Sequence, residues 1–150
     1  MNIDFIILAA GKGTRMGGDS PKVLANLAGR PMLQHLIDTV EGIPKSKTSV
    51  IVGYKSNEVE SGIHSSKKIN FIKQKKQLGT AHAVKQALPY LRKNAISIIL
   101  YGDAPLVAKN TLNKLIRSAS KGDLCLLSFI KEDPTGYGRI VRGPRGSIKK

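Results

Sequence analysis

Cysteine is almost missing from this chain, with Cys125 the single one in 150 residues. One thiol excludes an internal disulfide framework and a cysteine-paired zinc site, and it fits a reducing compartment. No long apolar run occurs either. The longest, Phe5 to Ala10, falls far short of the ~20 residues that span a bilayer, so no membrane partner is expected. A secretory leader is equally unexpected, because that run follows Asp4 rather than a cationic segment. The expected location is cytoplasmic. Acidic residues are scarce as well: 10 Asp plus Glu stand against 25 Lys plus Arg, a formal net charge of +15. Such a balance invites a polyanion, since clustered cations gain affinity for phosphates by releasing counterions. The cations are scattered, however, the tightest runs being Lys67-Lys68 and Lys73 with Lys75-Lys76, with Phe71 and Tyr54 as nearby stacking partners. Nucleic acid is therefore the weaker reading, and a solvated lysine-rich surface the stronger.

What is present describes one globular domain, long enough to bury roughly 70% of the surface its unfolded form exposes. Short apolar runs alternate with segments of helical period, the pattern of an α/β fold: a Rossmann-like, mostly parallel sheet with helices on both faces. Strands are expected at Ile3 to Ala9, Thr48 to Val52, Asn70 to Lys73, Ile96 to Tyr101 and Leu124 to Ile130. Pro31 opens a helix whose stripe is Met32, Leu33, Leu36, Ile37 and Val40. A weaker helix spans Ser56 to His64, and Val84, Ala87, Leu88 and Leu91 mark another. Leu112, Leu115, Ile116 and Ala119 mark a last helix behind a cap at Asn110. Arg139 to Arg142 alternates like a half-exposed strand and runs into the turn Gly143-Pro144-Arg145-Gly146. A partner strand begins at Ser147, so the chain is expected to end inside a hairpin, a frayed terminus being the alternative.

The densest chemistry follows the first strand, in Leu8-Ala9-Ala10-Gly11-Lys12-Gly13-Thr14-Arg15-Met16. A loop at the carboxyl end of a buried strand is where α/β sheets bind ligands. Its glycines let backbone N–H groups approach a phosphate, and Lys12 and Arg15 supply counter-charge. Two familiar phosphate loops do not match. The dinucleotide fingerprint needs glycine where Met16 stands, and the P-loop needs lysine where Asp19 follows Gly18.

This loop, followed by Pro21-Lys22-Val23-Leu24, resembles the signature of the nucleotide-diphospho-sugar transferases, the sugar nucleotidyltransferases. Three further segments narrow the resemblance: Gln74 with Gln77 to Ala83, Leu100 to Leu106, and Asp133 to Ile140. Together they are similar to the uridylyltransferase domains of bifunctional N-acetylglucosamine-1-phosphate uridylyltransferases that also carry a glucosamine-1-phosphate acetyltransferase. The resemblance implies a reaction of UTP with N-acetylglucosamine 1-phosphate that yields UDP-N-acetylglucosamine and pyrophosphate.

It also implies roles. Arg15 and Lys22 would be catalytic, Arg15 on the departing phosphates and Lys22 on the charge around the α-phosphate. Leu8, Ala9, Ala10, Gly11, Gly13, Thr14, Lys22, Gln74, Gly79 and Thr80 would bind the nucleotide, with Gln74 on the uracil edge, where an amide both donates and accepts. Tyr101 and Gly138 would meet the sugar, and Asp103 would hold Mg²⁺ as a hard oxygen ligand. Blander readings exist for each: Gln74 as a polar loop residue, Gly79 as a turn, Asp103 as a strand-end cap. His35 and His82 fall on helices without an evident carboxylate partner and are expected to be structural, and Cys125 to be inert core.

The sequence departs from that family. The family's domain continues beyond this length, with further sugar and Mg²⁺ ligands and a β-helix acetyltransferase domain. Residues 1–150 are thus expected to be a nucleotide-binding half, with the acceptor half absent and activity impaired. Lys76 replaces a commonly acidic residue, and the charge of +15 is foreign to the family. An uncovered edge predicts self-association or a partner chain. A UTP-binding module without catalysis and a basic nucleic-acid binder on a reused fold remain as alternatives.

Overall fold

In the computed structural model, residues 1–13, 19–144 and 147–148 are described. The chain opens with strand β1 (Asn2–Ala9) and, after a 3₁₀ turn at Lys22–Leu24, forms the small antiparallel pair β2 (Asn26–Leu27) and β3 (Arg30–Pro31). Helix α1 (Met32–Glu41), strand β4 (Ser46–Val52), helix α2 (Ser56–Ser61) and strand β5 (Ile69–Lys73) follow. Helix α3 (Thr80–Ala87), strand β6 (Ala95–Tyr101) and helix α4 (Lys109–Ala119) complete the set.

The four longer strands build a parallel sheet in the order β5-β4-β1-β6. β1 lies inside it and is apolar on both faces apart from the buried Asp4, as a doubly covered strand should be. Ile3, Phe5, Ile7 and Ala9 pack on one face with Leu33, Leu36, Ile37 and Val40 of α1, Val59 of α2, and Leu112 and Ile116 of α4. Ile6 points to the other face, against Ala83 and Ala87 of α3. This division follows from handedness. The crossovers β1 to β4 and β4 to β5 step one way along the sheet, whereas β5 to β6 steps back past β1, so a right-handed connection puts α3 on the opposite face. The reversal leaves a crevice at the carboxyl ends of β1 and β6.

The interior and α4 match the expected pattern, and the chain after α4 does not. Leu124 to Ile130 forms no strand, and Leu124 is 87% exposed with Phe129 and Ile130 also in solvent. An apolar run becomes a buried strand only where a ladder and a covered face await it. α3 covers β1, β4 and β5 but leaves Ile99 and Tyr101 of β6 exposed. Cys125 is accordingly half-exposed and outside any strand rather than core. Asn110 lies within α4 and Ala108 occupies its cap, with no side-chain cap bond. α3 stops at Ala87, and Leu88–Tyr90 turns as 3₁₀, with Pro89 in its first turn. The expected hairpin survives as one antiparallel bridge between Arg142 and Ile148, with Gly143 N–H donating to the Ser147 carbonyl at 2.7 Å. Arg145 and Gly146 of its turn lie outside the described residues.

Candidate active site

The crevice is a cleft of about 520 Å³. β1 delivers Leu8, Ala9 and Ala10 to its floor, and Gly11 and Gly13 of the following loop rim it. Gly13 cannot be another residue here: its φ is +67°, and a Cβ on it would lie 2.4 Å from Lys22 Cβ. That contact seats Lys22 against the loop. The 3₁₀ turn beginning there is closed by Leu24 N–H donating to the Pro21 carbonyl at 2.9 Å and anchored by buried Val23.

Asp103 reaches the same point from β6. Gly102 N–H donates to the Leu8 carbonyl at 2.9 Å, and a Cβ on Gly102 would sit 3.0 Å from that oxygen. This close approach carries Asp103 to Lys22, where Nζ lies 2.7 Å from Oδ2 and both side chains are 38% exposed. Tyr101 lines the cleft beside them.

The opposite wall comes from the end of β5 and the start of α3. Gln74 N–H donates to the Val52 carbonyl at 2.7 Å, which extends the ladder one residue past β5 and turns the Gln74 side chain inward. Its amide Nε2 is 2.8 Å from His82 Nδ1 and 3.4 Å from the Gly79 carbonyl. Gly79, at φ +91° and ψ 178°, adopts backbone that only glycine enters readily, and Thr80 starts α3 next to it. Gln77 Nε2–H donates to the Ala10 carbonyl at 2.6 Å and ties the two walls.

Of the expected site residues, Leu8, Ala9, Ala10, Gly11, Gly13, Lys22, Gln74, Gly79, Thr80, Tyr101 and Asp103 line one cleft. Thr14 and Arg15 lie outside the described residues. Gly138 does not line the cleft; it sits in the exposed stretch after α4, because the chain there does not return to the sheet. Sequence reasoning missed Gln77, Val23 and Ala83 as lining residues. Gln77 falls within the quoted Gln77-Leu78-Gly79-Thr80 segment, so only its role was hidden. His35 is structural, as expected, with Nε2 2.8 Å from the Leu27 carbonyl.

Lys22 lines the cleft paired with Asp103, and Lys12 Nζ lies 5.3 Å from the Tyr54 ring centre beside the loop. Tyr54 Oη donates to Asp19 Oδ1, and Lys55 Nζ to Oδ2, each at 2.8 Å. The Lys55 and Tyr54 bonds hold the Asp19 carboxyl below its usual range, and the same bond to Asp19 raises the Tyr54 phenol. Asp103 is a carboxylate that could hold a cation, and among the described residues it belongs to no group of three or more His, Cys, Asp or Glu side chains. A divalent cation held there would take its remaining ligands from phosphate oxygens and water.

The profile of the MobA-like NTP transferase domain matches residues 5–141. The chain is similar to the bifunctional protein GlmU of Ruthia magnifica subsp. Calyptogena magnifica, 50% identical over 94% of this chain and 31% of that protein. It therefore spans about a third of the length of the curated relatives it matches. A solved structure of HddC from Yersinia pseudotuberculosis complexed with GMP-PN is 29% identical, with TM-score 0.61 over 78% of this chain and 54% of that one. Rv0371c from Mycobacterium tuberculosis H37Rv shares the fold at 21% identity, with TM-score 0.66 over 80% of this chain and 61% of that chain. No helix among the described residues is long and apolar enough to cross a membrane.

Proposed function

Because the chain belongs to the MobA-like NTP transferase domain family, we propose that its cleft is the nucleotide half of a sugar-1-phosphate uridylyltransferase. The observation that carries the reading is the convergence of Gly11, Gly13, Lys22, Gln74, Thr80 and Asp103 on one cleft at the sheet's switch point. The relatives named GlmU, at 42–50% identity, support the choice within the family. The reaction is attack by a phosphate oxygen of N-acetylglucosamine 1-phosphate on the α-phosphorus of UTP. The bond to the bridging oxygen of the β-phosphate breaks, and pyrophosphate leaves with that oxygen. Residues 1–150 serve as the nucleotide-binding part of one nucleotidyltransferase domain acting in the cytoplasm, on UTP and the sugar phosphate.

Gln74 meets the base at one end of the cleft. The loop amides and Lys22 meet the phosphates at the other, 2.7 Å from Asp103 in the present pairing. A triphosphate offers Lys22 a second anion, so Lys22 can leave Asp103 and neutralise charge at the α-phosphate. Arg15 takes the departing phosphates by its place in the motif. Asp103, freed, would hold a divalent ion, Mg²⁺, which would supply neutralisation of phosphate charge when bound. No general base is required, since the attacking phosphate is already anionic.

A second reading is favoured by the placement of Gly138 away from the cleft: UTP binding without transfer by these 150 residues. Calorimetric titration with UTP and Mg²⁺, with CTP and ATP as controls, tests the shared part. Selective UTP binding is the expected result, and its absence from a folded chain overturns both readings. Pyrophosphate release on adding N-acetylglucosamine 1-phosphate then separates transfer from binding alone.

A further inference from the structure

Gln74 is 4% exposed, and its amide is held from behind. Nε2 faces the Gly79 carbonyl at 3.4 Å, which only accepts, and His82 Nδ1 at 2.8 Å. Turning the amide over would set oxygen against the Gly79 carbonyl oxygen, so nitrogen belongs there and His82 Nδ1 must accept. A neutral imidazole that accepts at Nδ1 carries its hydrogen on Nε2. Gln86 Nε2 lies 3.3 Å from that atom and 3.3 Å from the His82 carbonyl, to which it donates. Gln86 is only half-buried, unlike Gln74, so it is the Gln86 amide that gives up this carbonyl and turns its oxygen to the imidazole hydrogen. With Nε2 so engaged, Gln74 Oε1 takes no hydrogen bond from the described residues, although no buried side-chain polar atom among them is left unpartnered. Oε1 is therefore open to the cleft that Gln74 lines.

We infer that His82 is a positioning residue for base selection: its Nδ1 fixes the Gln74 amide with oxygen toward the cleft, so the site takes a base presenting a ring N–H there. The inference rests on the reading that Gln74 meets the base. Uracil presents N3–H to such an oxygen, whereas cytosine presents a lone pair at the same ring atom and is repelled. Without the imidazole the amide can turn and offer Nε2–H to cytosine instead. His82 thus acts through Gln74, and its effect is on discrimination more than on affinity.

The test is the ratio of CTP to UTP dissociation constants for the 150-residue chain with Mg²⁺, with 3-methyl-UTP as the probe lacking N3–H. The wild-type chain is expected to prefer UTP and to reject 3-methyl-UTP. His82→Leu is expected to lower the preference about tenfold or more, the scale of one misdirected buried hydrogen bond, with CTP binding gained as UTP binding falls. His82→Asn, whose amide oxygen can stand near Nδ1, should keep most of it. A gain in CTP affinity is a change that a merely structural role would not produce.

A wild-type chain that binds UTP and CTP equally overturns the base reading and the inference with it. A UTP-selective chain whose His82→Leu variant keeps the ratio, or loses both nucleotides in parallel, overturns the inference alone. Ring ¹⁵N spectra of the wild-type chain read the tautomer without any variant: hydrogen on Nε2 is expected, and hydrogen on Nδ1 overturns it.

Discussion

Lys22 Nζ and Asp103 Oδ2 stand 2.7 Å apart across 81 positions of sequence. The glycine loop brings one and the switch-point strand the other. The pair is 38% exposed on each side, and such contacts contribute about 1 kcal/mol or less to stability. In the proposed nucleotide site the pair keeps a cation and an anion at the phosphate end of the cleft until a ligand separates them. Lys22→Ala should therefore leave the melting temperature nearly unchanged and weaken UTP binding by about tenfold or more, the loss of a charge-assisted hydrogen bond. Asp103→Asn should instead abolish the gain in UTP affinity on adding Mg²⁺. Titrations with and without Mg²⁺ check both, and an Asp103→Asn chain with undiminished Mg²⁺ dependence would refute the metal role.

Gly13 gives a sharper case, because one added carbon has two consequences. Gly13→Ala places a side chain at φ +67°, costing about 1–2 kcal/mol. The new Cβ also falls 2.4 Å from Lys22 Cβ, so the lysine must retreat. UTP affinity should drop as far as in Lys22→Ala. Gly11→Ala, whose Cβ meets nothing within 4 Å, should fall less. Equal titration curves for Gly13→Ala and wild type would show that the close approach does not position Lys22.

Away from the cleft, Asp4 is 1% exposed inside β1. Its Oδ2 accepts the Arg92 backbone N–H at 2.7 Å and its Oδ1 accepts Arg92 Nε at 2.8 Å. Arg92 Nη2 also donates to the Ile3 carbonyl at 2.8 Å, so one guanidinium joins the approach to β6 to the first residues of β1. Arg92→Ala would strand a buried carboxylate, at a cost of roughly 3–5 kcal/mol. Chemical denaturation should show that loss; one below about 1 kcal/mol would mean that water reaches Asp4.

The legible part of the molecule was the part whose signals are local. β1, α1 and β6 follow from runs and periods within a few residues, and the loop from Leu8 to Gly13 announces its chemistry by composition. Leu124 to Ile130 carried as strong a run as β1, yet run strength reports only a wish for burial and says nothing of a free ladder. The Lys22–Asp103 pairing and the His82–Gln74 bond were hidden for a related reason: each depends on how two elements approach. His82 looked structural because its partner is an amide and not a carboxylate.

Acid sensitivity should arise partly at the end of α1. Glu41 is half-buried, and burial pushes its carboxyl upward, but the Ser65 and Ser66 hydroxyls and the Lys67 and Ser66 backbone N–H groups outweigh this and hold it below its ordinary value. A carboxyl depressed in the folded state stabilises above its unfolded value near 4.5, and the contribution fades as pH falls through the lower folded value. Glu41→Gln should thus be less stable than wild type at pH 7, with the difference shrinking toward pH 3. Melting curves across that range check it, and a gap constant with pH would remove Glu41 from the account.

The exposed tail of the sheet makes the remaining prediction, in which charge and apolar surface oppose each other. Leu124, Leu126, Leu127, Phe129 and Ile130 are all exposed, as are Ile99 and Tyr101 on the outermost strand. A surface of this kind associates in water, and an unpaired strand edge adds backbone groups ready to pair. The net charge of +15 resists that association at low ionic strength. Raising salt shortens the screening length from about 30 Å at 0.01 M to about 8 Å at 0.15 M, so repulsion weakens while apolar attraction does not. The chain should therefore be largely monomeric in dilute buffer and self-associate as salt is added, the reverse of an assembly held by ion pairs. Sedimentation velocity across a salt series measures this directly. Leu126→Glu with Phe129→Glu should keep the chain monomeric throughout, while a wild-type chain that stays monomeric at 0.5 M salt and high concentration would show that this surface does not drive self-association.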